Sequence, residues 1–89
     1  MWEIHFNLDA LKFFNKLDNK LSFQIKEKLN NLKQWIVKNE SVNIDIKKLK
    51  GEWEGFYRLR HGNMRIILSF DKENQIITVH EIALRGDIY

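Results

Sequence analysis

The chain contains no cysteine. Disulfides and thiolate metal sites are therefore excluded, which is compatible with a reducing cytoplasm. No apolar run approaches the ~20 residues that a membrane-crossing helix needs. The N-terminus lacks a charged lead, an apolar stretch and a small-residue cleavage site, so no export signal is expected and a cytoplasmic protein is. The three histidines, His5, His61 and His80, show no ligand spacing. No glycine-rich phosphate loop precedes a helix. Ser22, Ser41 and Ser69 lack the setting of an activated nucleophile. Glu52 and Glu54 look like loop solubility rather than acid–base machinery. Neither a metal nor a cofactor is expected. There is no internal repeat, linker or low-complexity stretch, so residues 1–89 are read as one domain.

What is present is enough for one packed core. The 89 residues are 44% hydrophobic, which argues against disorder and supports a single small domain. The net charge of +3 is modest, but its distribution is uneven. Lys supplies every basic side chain up to Lys50, whereas all four arginines come later: Arg58, Arg60, Arg65 and Arg85. Between Glu54 and Asp71 there is no acidic residue. Lysine on a helix face is usually solvated surface. The planar guanidinium fits phosphate or carboxylate. The arginines therefore either grip an anion or form structural ion pairs with Glu52, Glu54, Glu81 or Asp87.

Trp2, Ile4 and Phe6 alternate with Glu3 and His5, which predicts a half-buried strand. Asn7 or Asp9 can cap a helix over Leu8 to Leu17. After the polar break Asp18-Asn19-Lys20, a stripe of Leu21, Ile25, Leu29, Leu32 and Ile36 predicts a second, longer helix. The short connection implies an antiparallel helical hairpin. From Asn43 to Lys50, Ile44, Ile46 and Leu49 fit an extended or single-turn segment over a sheet edge. Gly51 and Gly55 bracket Trp53, which is expected to plug the core. In the next strand Tyr57 and Leu59 share one face, while Phe56, Arg58 and Arg60 share the other. His61-Gly62-Asn63 is a tight turn, Met64 to Phe70 a strand, Asp71 to Asn74 another turn. Gln75 to Ala83 is so apolar that it should be central. The order predicts an α+β fold: an N-terminal strand and a two-helix hairpin packed on one face of a mainly antiparallel four-stranded sheet.

The other sheet face would then be open. It would carry Arg58, Arg60 and Arg65, with Arg85 and Tyr89 within reach from the tail. Tyr57, His61 and His80 lie nearby in sequence. Arginine with aromatics on an open sheet points to an anionic polymer, with phosphate contacts and base stacking. RNA cleavage needs no metal if the 2′-oxygen attacks the adjacent phosphorus. It requires alignment, stabilisation of the phosphorane, and proton transfer. Arginine serves the second task but, with a pKa of roughly 12.5 or above, not the third. Tyr89, Tyr57 or a histidine would have to carry protons.

Lys48-Leu49-Lys50-Gly51, Gly55-Phe56-Tyr57-Arg58-Leu59-Arg60, Gly62-Asn63-Met64-Arg65-Ile66-Ile67 and Arg85-Gly86-Asp87-Ile88-Tyr89 together resemble the RelE/ParE superfamily of type II toxins. The similarity spans the whole chain and is closer to the RelE branch. It implies a ribosome-dependent mRNA endonuclease cutting in the ribosomal A site. It also implies a RelB-like antitoxin, through which the complex would reach operator DNA. By position, Arg58 and Arg60 match substrate-contacting basic residues that are often Lys. Arg65 matches the arginine at the scissile phosphate, Arg85 the tail arginine, and Tyr89 the tyrosine that orients a base. Leu84 stands where many relatives carry histidine, so the general acid or base is not assigned. With the sequence ending at Tyr89, no C-terminal helix is expected to rearrange on antitoxin binding. A ParE-type gyrase poison on the same scaffold and a non-catalytic nucleic-acid-binding relative are the alternatives.

Overall fold

A computed structural model describes residues 1–38 and 45–84. Strand β1 (Glu3–Phe6) leads directly into helix α1 (Leu8–Asn15). Asn7 makes the transition: its side chain accepts the Ala10 N–H at 3.0 Å, satisfying a donor that the first helical turn leaves open. Asp18 does the same for α2 (Asn19–Lys38), accepting the Leu21 N–H at 2.8 Å. Strands β2 (Asp45–Lys48), β3 (Tyr57–His61), β4 (Met64–Asp71) and β5 (Ile76–Leu84) follow, with a 3-10 turn over Gly51–Trp53.

The sheet order is β1-β5-β4-β3-β2. Among the described residues only β1 pairs in parallel, with β5; the remaining pairs are antiparallel. The sheet thus has five strands rather than the four expected. The extra one is β2, which adds at the edge by pairing Ile46 with Leu59 and Lys47 with Arg58. Its four residues are too short to announce a strand by periodicity alone. Strand β5 lies inside the sheet, between β1 and β4, as its apolar composition requires.

Both helices contribute to one core against one face of the sheet. Ala10, Ile25, Leu29 and Leu32 from the helices meet Leu59, Met64, Ile66, Leu68, Ile77, Val79 and Ile82 from the strands, and Trp2 joins them. The stripe along α2 is thus the buried one: Ile25 and Leu32 have no exposed surface. No described helix is long and apolar enough to cross a membrane.

The β4–β5 register shifts between Ile67 and Leu68, which face Glu81 and Val79 respectively. This bulge leaves His80 as the extra residue. Without it, Ile82 would turn out of the core on strict alternation. With it, Ile77, Val79 and Ile82 all stay buried, and both His80 and Glu81 are left facing away from the helices.

Candidate nucleic-acid interface

The face away from the helices is built by alternation. On β3, Leu59 is fully buried beneath the helices, so Arg58 and Arg60 point the other way. On β4, Met64, Ile66 and Leu68 are core residues, which leaves Arg65, Ile67 and Ser69 on the arginine face. Arg60 and Arg65 are directly paired across β3 and β4. Arg58 sits two residues from Arg60, about 7 Å along the strand at ~3.4 Å per residue. Lys47 of β2 lies opposite Arg58 and joins the same face. The sheet therefore gathers Lys47, Arg58, Arg60 and Arg65 on one surface. A cavity of about 720 Å³ lies elsewhere, among Met1, Trp2, Lys33, Ile36, Lys72 and Gln75, and none of these arginines lines it.

Carboxylates are sparse there. Asp45 approaches Arg58 at 3.8 Å, with the Asp45 side chain more than half exposed. A contact this long, with the carboxylate well exposed, contributes little although Arg58 is largely buried. Glu81 pairs with Ile67 one strand further in. The Nε atoms of Arg58 and Arg60 are buried with no hydrogen-bond partner among the described residues. A buried donor left open costs free energy.

Beside the arginines runs a row of rings. Trp53 meets Phe56 edge-on, with centroids 5.6 Å apart at 89°. Phe56 meets His80 at 4.9 Å and 63°. His80 Nε2 is 2.7 Å from Ser69 Oγ, which fixes the imidazole on the sheet. Trp53 is 47% exposed and does not plug the core, contrary to its expected role. The left-handed Gly55, at φ +92°, turns the chain so that Trp53 lies over the outer edge of Phe56.

Two expected substrate contacts lie on the opposite side of the sheet. Tyr57 shares the parity of Leu59 and packs against Phe70, centroids 4.6 Å apart. His61 has the same parity, and its Nε2 is 3.1 Å from Gln24 Oε1 on α2. Nearness in sequence misplaces both, because adjacent strand residues point to opposite faces. Arg85 and Tyr89 lie outside the described residues. The contributions of Lys47, Trp53 and Ser69 were not foreseen. The alternation of Ile46 with Asp45 and Lys47 is the signal that β2 offered.

Several solved structures share this architecture at high coverage. A chain of the RelBE2 toxin–antitoxin complex from Mycobacterium tuberculosis matches with a TM-score of 0.75 and 19% identity, covering 94% of this chain and 98% of that one. A chain of the archaeal RelE–RelB complex from Pyrococcus horikoshii OT3 matches at 0.74 and 24%, covering 96% of each. The isolated Escherichia coli RelE toxin matches at 0.74 and 20%, covering 97% and 86%.

This chain has the RelE/ParE toxin fold.

No family model and no curated protein matches the sequence. The RelE/ParE fold is recognised here through topology: a parallel N-terminal strand, two helices on one face, and an antiparallel sheet whose other face carries the arginines. Among the described residues no cluster of His, Asp or Glu could hold a metal ion.

Proposed function

We propose that the protein is the toxin of a type II toxin–antitoxin system, acting as a metal-independent, ribosome-dependent mRNA endonuclease in the cytoplasm. One observation carries this: Arg58, Arg60 and Arg65 share one sheet face, away from the helices, on a RelE/ParE fold. The substrate backbone lies across β3 and β4. Arg58 and Arg60 hold flanking phosphate oxygens, and Arg65 neutralises the charge that builds on the scissile phosphate as the 2′-oxygen attacks. Fixed guanidinium groups need no reorganisation when that charge develops, so they lower the barrier rather than merely tightening binding. Arg85 completes the anion grip from the tail and Tyr89 orients a base. The proton carriers are Tyr89 and, on the described surface, His80; Tyr57 and His61 lack access to this face.

A RelB-like antitoxin is the proposed protein partner. It neutralises the arginine face with acidic groups and carries the DNA-binding part of an operator-bound complex. Arg65→Ala removes growth inhibition on induction and lowers mRNA cleavage by about 100-fold or more, in line with loss of a transition-state donor. Primer extension on induced cells and circular dichroism of the purified variant check activity and folding separately. Full toxicity of a folded Arg65→Ala protein would sink the assignment. DNA breaks without mRNA cleavage would instead place the protein with gyrase-directed toxins. Salt-sensitive RNA binding without any cleavage would make it a non-catalytic relative.

A further inference from the structure

We infer that Trp53, Phe56 and His80 form a shelf on which an unpaired RNA base stacks, next to the phosphate held by Arg58. This rests on the RNA-binding function proposed above and adds a base subsite to it. The rings are locked together: Trp53 on Phe56 at 5.6 Å, Phe56 on His80 at 4.9 Å, and His80 on Ser69 at 2.7 Å. Phe56 immediately precedes β3, two residues from Arg58, and its contact with His80 puts it on the arginine face, about 7 Å along the chain from Arg58 at ~3.4 Å per residue. The indole remains 47% exposed, although burying a tryptophan is among the most stabilising contributions a small core can receive. A preoriented, half-exposed indole beside a cationic face is the usual means of holding a single-stranded base, because every base has a π-face.

Charge selects the occupant. Lys47, Arg58, Arg60 and Arg65 favour an anionic ligand over an apolar peptide finger. Glu52 and Glu54, both exposed, flank Trp53 in its own loop. They repel a phosphate at the indole while leaving a neutral base unopposed. The backbone therefore lies over the arginines and the base turns outward onto the shelf.

The test uses a 2′-O-methyl RNA hexamer, which lacks the attacking hydroxyl and is bound but not cut, beside an abasic oligomer of equal length. Trp53→Ala weakens binding of the base-bearing hexamer by about tenfold and leaves the abasic oligomer unchanged. Trp53→Phe restores most of the affinity. The hexamer quenches tryptophan fluorescence in the wild type and not in Trp53→Phe, since Trp2 is 8% exposed and Trp35 is half-buried. A purely structural cap would lower the melting temperature without distinguishing the two oligomers. Equal loss on both oligomers, unchanged affinity in Trp53→Ala, or quenching that survives in Trp53→Phe would overturn the shelf. So would tighter binding of the matching DNA hexamer, or quenching by a protein partner but not by RNA. Cleavage of unmodified mRNA is scored separately, so the shelf can fail while the nuclease stands, and the reverse.

Discussion

Arg60 and Arg65 face each other across β3 and β4, an arrangement a sheet does not choose for its own stability. Like charges directly opposite cost a few tenths to about 1 kcal/mol, and salt screening relieves only part of it. Asp45, the β2 partner of Arg60, offers one counter-charge on this face, and a bound anion would add another. Arg60→Thr separates stability from activity: threonine suits a strand and removes the repulsion. Urea unfolding at low salt is expected to show about 0.5 kcal/mol of added stability, while growth inhibition falls. Loss of both stability and activity would mean that Arg60 is a structural residue. Residue identity was readable from the chain: the run Arg58-Leu59-Arg60, with no carboxylate before Asp71, fixed which face carries charge. Residue position was less so: Tyr57 and His61 lie beside the arginines in sequence, yet Tyr57 packs on Phe70 and His61 meets Gln24 of α2 on the other face.

Elements were legible wherever a period persisted for several turns or pleats. The α2 stripe ran long enough to name its buried residues, and β3 and β4 alternated cleanly. Strand β2 was legible only as an extended or single-turn segment over a sheet edge, because four residues with a single half-buried aliphatic, Ile46, carry almost no periodic signal. The bulge in β5 escaped for another reason: Val79-His80-Glu81-Ile82 breaks alternation, and an apolar strand hides the break. The β4–β5 turn yields a prediction at this scale. The Asp71 carboxylate accepts the Asn74 side-chain amide at 2.8 Å and the Asn74 backbone N–H at 3.1 Å. These bonds hold the carboxyl below its usual value, the side-chain bond most strongly. A carboxyl depressed in the folded state stabilises fully above its ordinary pKa, and that contribution disappears as pH falls through the lowered value. Asp71→Ala should therefore have a lower urea midpoint than wild type at pH 7, and the two midpoints should converge below about pH 4. A gap that persists at low pH would show that the turn depends on something other than the ionised carboxylate.

At the scale of the whole molecule, the helices, which carry lysine, cover one sheet face and leave Arg58, Arg60 and Arg65 on the other. Sequence revealed the segregation because arginine is confined to the sheet half. It could not reveal Lys47 as a neighbour of Arg58, since that requires β2 to pair at the edge. A surface that works through phosphate contacts has a measurable signature. Each phosphate neutralised on a single strand releases counterions and contributes roughly −0.7 to the slope of log affinity against log salt. Three arginines across β3 and β4 give a slope near −2, and Lys47 makes it steeper if the strand reaches β2. Arg60→Thr should reduce the slope by about 0.7, whereas Trp53→Ala should lower affinity at every salt concentration and leave the slope unchanged. Titrating the uncleavable hexamer from 50 to 300 mM salt (about a sixfold range) resolves that difference. A flat salt response in the wild type would mean that the basic face does not contact the backbone, and would separate the RelE/ParE fold of this chain from the chemistry proposed for it.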